Sequence, residues 1–266
     1  MEYQKFIPEG WQNTNDKLTQ DNIDEALTNG SILQGFVESC DDFYNLHVNL
    51  GNGIKGIIPR NEVDALGKDE YGTVEEKICR RKVNNIVQFK ITEKNQDNFT
   101  LSRKAVGEEV INWIKEDLKE GMVIDGIVKN IRPYGAFIDI GGGITGLLHI
   151  EDMSISRIKS PAERFSIGQK VNVMVKSINR EDSRVILTYK ELLGTWEDNI
   201  KEFKEGTKVY GIVKEEDKYK NGIFIELKPN LVGMAEYKEN MQYGEKVEVY
   251  IKKIIKDKKK IKLIIV

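Results

Sequence analysis

The chain has 266 residues, 39% of them hydrophobic and 32% charged, with a formal net charge of −2. That length suits two or three small domains better than one large core, and no apolar run approaches the roughly 18–20 residues that a membrane span requires. The two cysteines, Cys40 and Cys79, stand in neither a CxxC nor a metal-ligand spacing, which points away from a disulfide framework and a cysteine metal centre and toward buried thiols in a reducing cytoplasm.

The first residues, MEYQKFIPEGW, lack a basic stretch followed by a hydrophobic one, so no secretion signal is expected. Residues 1–30 read as a mostly polar extension in which TQDNIDEALTNG (19–30) has the form of a short capped helix. From residue 31 a pattern begins that occurs three times. YNLHVNLGNGIKGIIPR (44–60), YGAFIDIGGGITGLLHI (134–150) and NGIFIELKPNLVGMAEY (221–237) align residue for residue over their first strand. Each is preceded by a short strand with a central glycine (ILQGFV, VIDGIV, KVYGIV). Each is followed by an alternating strand and a closing one, NIVQFKI and FTLSRK, VNVMVKSI and RVILTYK, VEVYIKKI and KIKLIIV. Five short strands per copy predict an all-β chain of three consecutive five-stranded OB-fold barrels. The predicted boundaries are 31–104, 121–190 and 206–266, with helical connectors at 105–120 and 191–205. Both connectors carry an apolar stripe, through Val106, Val110, Trp113 or Ile114, and Leu118 in the first and Leu192 or Leu193, Trp196, Ile200 and Phe203 in the second. Each closes on KEG, whose glycine suits a helix C-terminus. Trp113 and Trp196 are expected to dock against neighbouring barrels.

Charge divides with the same boundaries. Residues 1–120 balance at −7, 121–190 at +3, 191–205 at −3 and 206–266 at +5. Screening confines a field to about 10 Å at moderate salt, so a polyanion is able to dock on the later segments despite the overall sign.

Strand alternation orients the repeated segment. With Ala136, Ile138 and Ile140 inward, Phe137 and Asp139 are expected outside. With Ile223, Ile225 and Leu227 inward, Phe224 and Glu226 are outside, and Leu46, Val48 and Leu50 leave His47 and Asn49 outside. A ring therefore recurs at one outward place, where it is able to stack on nucleobases; coverage by connectors or neighbouring barrels is the competing explanation. His149 has outward parity too, and no second metal ligand lies near it. Gly141–Gly143 reads as a turn rather than a phosphate cradle. The seven lysines between Lys252 and Lys262 suggest a strand pair with a cationic outer face, either solvated or in contact with phosphate.

GMVIDGIVKNIRPYGAFIDIGGGITGLLHIEDM, followed by GQKVNVMVKSINREDSRVILTYKE, closely resembles the S1 RNA-binding module. The whole chain resembles the bacterial ribosomal S1-like proteins in a short, three-module form. The resemblance is most specific over 121–190, good over 206–266 and looser over 30–104. It implies an RNA face built from two aromatics, a histidine, an acidic position and an arginine. These fall here on Tyr134, Phe137, His149, Asn179 (a departure from the acid) and Arg184. In the third copy they fall on Asn221, Phe224, Glu236 and Lys260, and in the first on Tyr44, His47, Pro59, Glu93 and Asn98. The resemblance further implies that acidic early modules dock on protein and basic later ones hold RNA.

The expected function is non-catalytic binding of single-stranded RNA, including mRNA, in translation at the small ribosomal subunit, by a cytoplasmic monomer with no cofactor, metal or membrane partner. The alternative is a regulatory scaffold whose barrels chiefly bind proteins. An enzyme is not expected: the chain has two histidines and no HExxH, phosphate-loop lysine motif or nucleophile elbow. The carboxylates of Glu215–Asp217 and Glu108–Glu109 read as solvated charge.

Overall fold

Each barrel opens with a strand that has glycine at its centre, and that glycine decides how closely the second strand crosses it. A Cβ on Gly35 would stand 2.6 Å from the Val48 side chain, and one on Gly126 or Gly211 would collide with Ile138 or Ile225. The space a side chain would occupy is already filled by the inward aliphatic residue of the next strand, and a packed interior does not admit both.

The computed structural model describes residues 4–12, 18–95, 98–216 and 222–266. Asn221 and Asp217, named above, lie outside these residues. The first barrel is built from β1 (Leu33–Cys40), β2 (Leu46–Gly51), β3 (Ile54–Ile58), β4 (Ile86–Lys94) and β5 (Phe99–Ser102). The second uses β6 (Val123–Arg132), β7 (Gly135–Gly141), β8 (Ile144–His149), β9 (Lys170–Asn179) and β10 (Arg184–Thr188). The third uses β11 (Lys208–Glu216), β12 (Ile223–Lys228), β13 (Leu231–Ala235), β14 (Lys246–Ile255) and β15 (Lys260–Ile265). All three are closed with one strand order, first-second-third-fifth-fourth. In each, the third and fifth strands pair in parallel, as in Gly56↔Phe99, Leu148↔Leu187 and Ala235↔Leu263. Closure removes the free strand edges that an open sheet would leave. The three interiors are aliphatic: Leu46, Val48, Phe89 and Leu101 in the first, Ile138, Ile140, Leu148 and Val173 in the second, Ile225, Val249, Ile251 and Leu263 in the third are all buried.

The capped helix is present as α1 (Gln20–Asn29). Thr19 and Asn22 form a reciprocal capping box, and Gly30 ends the helix at φ 70°. A single turn and a half, α2 (Glu76–Arg80), precedes β4. The first connector is a continuous helix, α3 (Arg103–Glu116), capped by the Ser102 side chain. The second is not. It breaks into a 3-10 turn (Lys190–Leu193) and a five-residue helix, α4 (Trp196–Ile200), because Gly194 takes φ 78°, ψ 160° and Thr195 starts a new capping box with Asp198. The two KEG glycines also differ from expectation. Helix α3 ends at Glu116, and Gly121 and Gly206, both at φ 84°, turn the chain into the next barrel, each amide donating to a fourth-strand carbonyl (Val175, Ile251).

The chain forms two compact units. The first holds 1–129, 137–146 and 167–185, and the second holds 130–136, 147–166 and 186–266, so the strands of the second barrel are shared between them. In the first unit, residues 4–11 cover strand surfaces that alternation turns away from the barrel interiors. Gln4 brackets Asp125, accepting from its amide and donating to its carbonyl. Phe6 packs edge-on to Trp113 at 5.9 Å. The Gly141–Gly143 turn explains its composition here: a Cβ on Gly141 would stand 2.7 Å from Phe6, one on Gly142 3.1 Å from Val106 and Val110, and one on Gly143 would collide with Arg103.

Asp139 corrects the expected outward exposure. It does point away from its barrel interior, yet it is fully buried. Glu9 donates its amide to Asp139 at 3.2 Å, Gly141 donates at 2.9 Å, and Lys129 Nζ stands 3.4 Å away. Arg103, equally buried, donates to both Glu9 carboxylate oxygens at 2.7 and 3.1 Å and to Asp64 at 3.0 Å. Burial, reinforced by the Glu9 carboxylate, pushes Asp139 from 3.8 to about 6. Burial would raise Glu9 as well, but Arg103, with Lys82 and Lys129, outweighs it and holds Glu9 at about 2.

The second unit repeats the device at the equivalent residue. Glu226 was also expected outside and is also buried. Arg164 donates to it at 2.5 Å, and the buried Lys214 lies 3.3 Å from it and 3.1 Å from Glu163. Glu163 in turn accepts from the Tyr243 hydroxyl at 2.8 Å, and burial together with that carboxylate pushes Tyr243 to about 12. Asn49, the third equivalent, is exposed as expected and donates to Glu38 at 2.7 Å.

Two outcomes are expected. A carboxyl whose folded pKa is raised takes up its proton earlier in the folded chain, so acidification from about pH 7 to about 5 relieves the cost of charged Asp139, while Glu9, lowered, keeps its contribution over that range and loses it as the pH falls from its ordinary value of 4.5 to about 2. Asp139→Asn should lose that gain, read as the difference in urea midpoint between the two pH values; an unchanged difference would contradict the assignment. Glu226→Ala leaves Lys214 and Arg164 short of a buried partner and should cost about 3 kcal/mol in denaturant unfolding.

Candidate nucleic-acid interface

The outward faces of the second strands carry the recurrent rings, and in the second and third barrels a glycine at the strand's start, Gly135 or Gly222, holds it close to strand three, a place that Asn45 has in the first. On β7, Ala136, Ile138 and Ile140 are buried while Phe137 is half-buried. Tyr134, at the strand's start, is 50% exposed. Its carbonyl accepts from the Ile150 amide at 2.9 Å. A Cβ on Gly135 would lie 2.6 Å from the Leu148 carbonyl oxygen and 3.2 Å from His149 Cα. The chain therefore brings Tyr134 and His149 to neighbouring ends of β7 and β8. His149 is half-exposed, and its Nδ1 accepts from the Glu151 amide at 3.4 Å, which leaves Nε2 as the ring's other polar atom.

Asn179 and Arg184 flank the β9–β10 hairpin. Asn179 Oδ1 accepts from the amides of Glu181 and Asp182 at 3.0 and 3.2 Å, closing an Asx turn, and its Nδ2 donates to Asp182 at 3.3 Å. Arg184 is well exposed and stands 3.9 Å from Asp182. Position 179 departs from the acid that the resemblance implies, and Asp182, which the sequence reading did not single out, lies three residues later and contacts both Asn179 and Arg184. The signal was present in NREDSR, an acid one hairpin step beyond the expected place.

The third barrel keeps part of the arrangement. Phe224 is half-buried on β12, opposite the exposed Met234 of β13. Gly222 has the role of Gly135: a Cβ there would meet the Ala235 carbonyl oxygen at 2.7 Å. Glu236 is exposed, and Lys260, also exposed, opens β15 opposite Ile255. No contact joins Phe224 to Lys260 among the described residues. In the first barrel the rings are already engaged. Tyr44, at φ 65°, has the guanidinium carbons of Arg60 and Arg80 at 4.8 and 5.1 Å from its ring centre. His47 Nε2 lies 3.4 Å from Asp41, a carboxylate held below its ordinary range by hydrogen bonds from Asn45 and Phe43 against the opposing effect of burial.

Among the described residues, no group of three or more His, Cys, Asp or Glu side chains is gathered so as to hold a metal ion, and no helix is long and apolar enough to cross a membrane. What the second barrel offers is half-exposed rings on strands two and three and an exposed guanidinium at the closing hairpin.

The family model described as the S1 RNA binding domain matches residues 27–104 and 117–190, more than half of the sequence. The chain belongs to the S1 RNA-binding domain family. The third barrel lies beyond the matched residues and shares the strand order of the two S1 modules. Among curated relatives, the small ribosomal subunit protein bS1 of Neisseria meningitidis serogroup B is 33% identical, over 91% of this chain and 44% of its own length. Its namesake in Pseudomonas aeruginosa is 30% identical over 96% of this chain and 45% of its own, and that of Staphylococcus aureus 33% over 82% and 54%. The chain thus spans about half the length of the curated relatives it matches.

Gly135→Ala should separate the start of β7 from the end of β8, since backbone rather than a flexible side chain meets the new methyl. A loss of about 1–3 kcal/mol in urea unfolding is expected, and an unshifted midpoint would show that the two strands are not held this close.

Proposed function

We propose that this S1-family chain is a non-catalytic, cytoplasmic protein that holds single-stranded RNA, mRNA in particular, at the small ribosomal subunit during translation. The observation that carries the reading is the ring at one register position in all three barrels, His47, Phe137 and Phe224, none of them packed into a barrel interior. Family membership and relatives that bear the name of a small-subunit ribosomal protein support it.

The working modules are 31–104, 121–190 and 206–266, the remainder being an extension and two connectors. The second is the principal RNA contact. Phe137 and Tyr134 stack on bases at about 1–3 kcal/mol each, His149 adds a ring with a polar edge, and Arg184 meets phosphate, with Asn179 shaping the hairpin beneath it. The third contributes Phe224 and Lys260 on a segment of charge +5. The first is the protein-facing module: Tyr44 is stacked by two arginines, His47 is held by Asp41, and the surrounding segment balances at −7. Stacking tolerates every base, so the grip is broad in sequence, and the protein acts as a monomer.

Tyr134→Ala with Phe137→Ala should weaken binding to a fluorescent oligouridylate at least tenfold by anisotropy, with the circular-dichroism melt of the parent retained. Tyr134→Ala alone, at a half-exposed site, should still cost several-fold. The dependence on salt should be linear in log–log form with a slope of roughly −0.7 per phosphate contacted. Unaltered affinity in the double variant would refute the assignment.

A further inference from the structure

The outward side of the first and fourth strands has different fates in the three barrels. In the first barrel it presents Gln34 and Gln88. Gln34 accepts from the Gly10 amide at 2.9 Å; Gln88 is buried, its amide donating to Glu9 and its side chain accepting from Gly142. In the second it presents Asp125, bracketed by Gln4 and bonded to Asn172 at 2.6 Å. Both surfaces lie under residues 4–11. Aligning Gly35, Gly126 and Gly211 puts Tyr210 of the third barrel at the place of Gln34 and Asp125, and the paired strands put Tyr250 at the place of Met174 and Lys90. No described segment covers that surface: Tyr210 is 61% exposed and Tyr250 36%.

We infer that this surface, the outer side of β11 and β14 with its flanking lysines, is a second binding site for single-stranded nucleic acid, built on its own rings and meeting the ring row of β12 at Lys262, which pairs with Lys253 on one side and Met234 on the other. Tyr210 faces Glu248 and Lys208 faces Tyr250 across the β11–β14 ladder, so the two tyrosines are diagonal cross-strand neighbours, about 7–8 Å apart. That spacing lets a single strand lay successive bases on both rings. Cations surround them. Lys246 Nζ lies 4.8 Å from the Tyr210 ring centre. Lys208 neutralises Glu248 at 3.2 Å. Beyond Tyr250 the same surface continues into exposed Lys252, Lys253 and Lys262, and Lys253 stands directly opposite Lys262. Like charges in direct cross-strand opposition are destabilising. No described carboxylate pairs with either, and a phosphate between them removes the repulsion. A surface of exposed rings rimmed by unpaired cations complements a polyanion with aromatic bases, not an apolar or basic protein.

The test uses the full chain, a fluorescent oligouridylate and anisotropy across salt. Tyr210→Ala with Tyr250→Ala should weaken binding about tenfold or more, while Tyr210→Phe with Tyr250→Phe, which keeps both rings, should match the parent. Lys252→Gln, Lys253→Gln and Lys262→Gln together should flatten the log–log salt slope by about two. Should the alanine pair lower the melting temperature, Tyr210→Leu with Tyr250→Leu, apolar but ringless, should show the same loss. Parental affinity in the ringless variants overturns the inference, and would be the result if a protein were the occupant. Binding lost by the lysine variant alone overturns it equally, since charge without stacking is not a base-binding site. If Tyr134→Ala with Phe137→Ala has no effect while the Tyr210 and Tyr250 variants do, the reading of the second barrel falls and this one stands.

Discussion

The second strand of each barrel is the constraint on which the rest depends. Its inward side fills a small closed barrel with aliphatic side chains, and the two-residue period then leaves alternate positions turned outward. Those outward positions are not equivalent. The first carries His47, Phe137 or Phe224, half-exposed, and the second carries Asn49, Asp139 or Glu226. In two of three copies the second is a carboxylate sealed beneath another segment. One strand therefore serves as core, ring platform and docking socket within five residues.

The sockets at Asp139 and Glu226 use one physical solution with different parts. A buried carboxylate is costly unless charge and hydrogen bonds replace its water. At Asp139 the replacements are two amides and Lys129, with the Glu9–Arg103 pair alongside; at Glu226 they are Arg164 and Lys214. Buried ion pairs contribute little net stability against an apolar alternative, but they penalise mispairing severely. They consequently specify which segment lies over the strand and in which register. The glycines of 141–143 do the same sterically, by admitting Phe6, α3 and Arg103 where any side chain would exclude them.

This division also separates the surfaces available to a ligand. Residues 4–11 occupy the outer side of the first and fourth strands in two barrels, and the third barrel presents Tyr210 where those two present Gln34 and Asp125, and Tyr250 where they present Lys90 and Met174. Composition follows exposure: covered positions carry Gln34, Gln88 and Asp125, each hydrogen-bonded to the covering segment, whereas uncovered ones carry Tyr210, Tyr250 and Lys246.

The three-fold repeat, the all-β class, the barrel closure and the inward set Ala136, Ile138 and Ile140 were legible in the sequence, because strand period and glycine placement are local properties. So were the capped helix at Thr19 and the cationic hairpin from Lys252 to Lys262. Alternation places a side chain relative to its own barrel and says nothing about what lies over it, and for that reason Asp139 and Glu226 read as exposed. The second connector's apolar spacing likewise concealed a break at Gly194, where a backbone conformation outside the helical region outweighs side-chain periodicity. Asp182, not singled out in the sequence, lies beside both Asn179 and Arg184. What the sequence determined by itself was thus every feature set by neighbours in the chain. Tertiary structure alone decided which outward residues are sealed, since burial depends on groups such as Glu9 and Arg103 that approach from about 130 and 36 positions away.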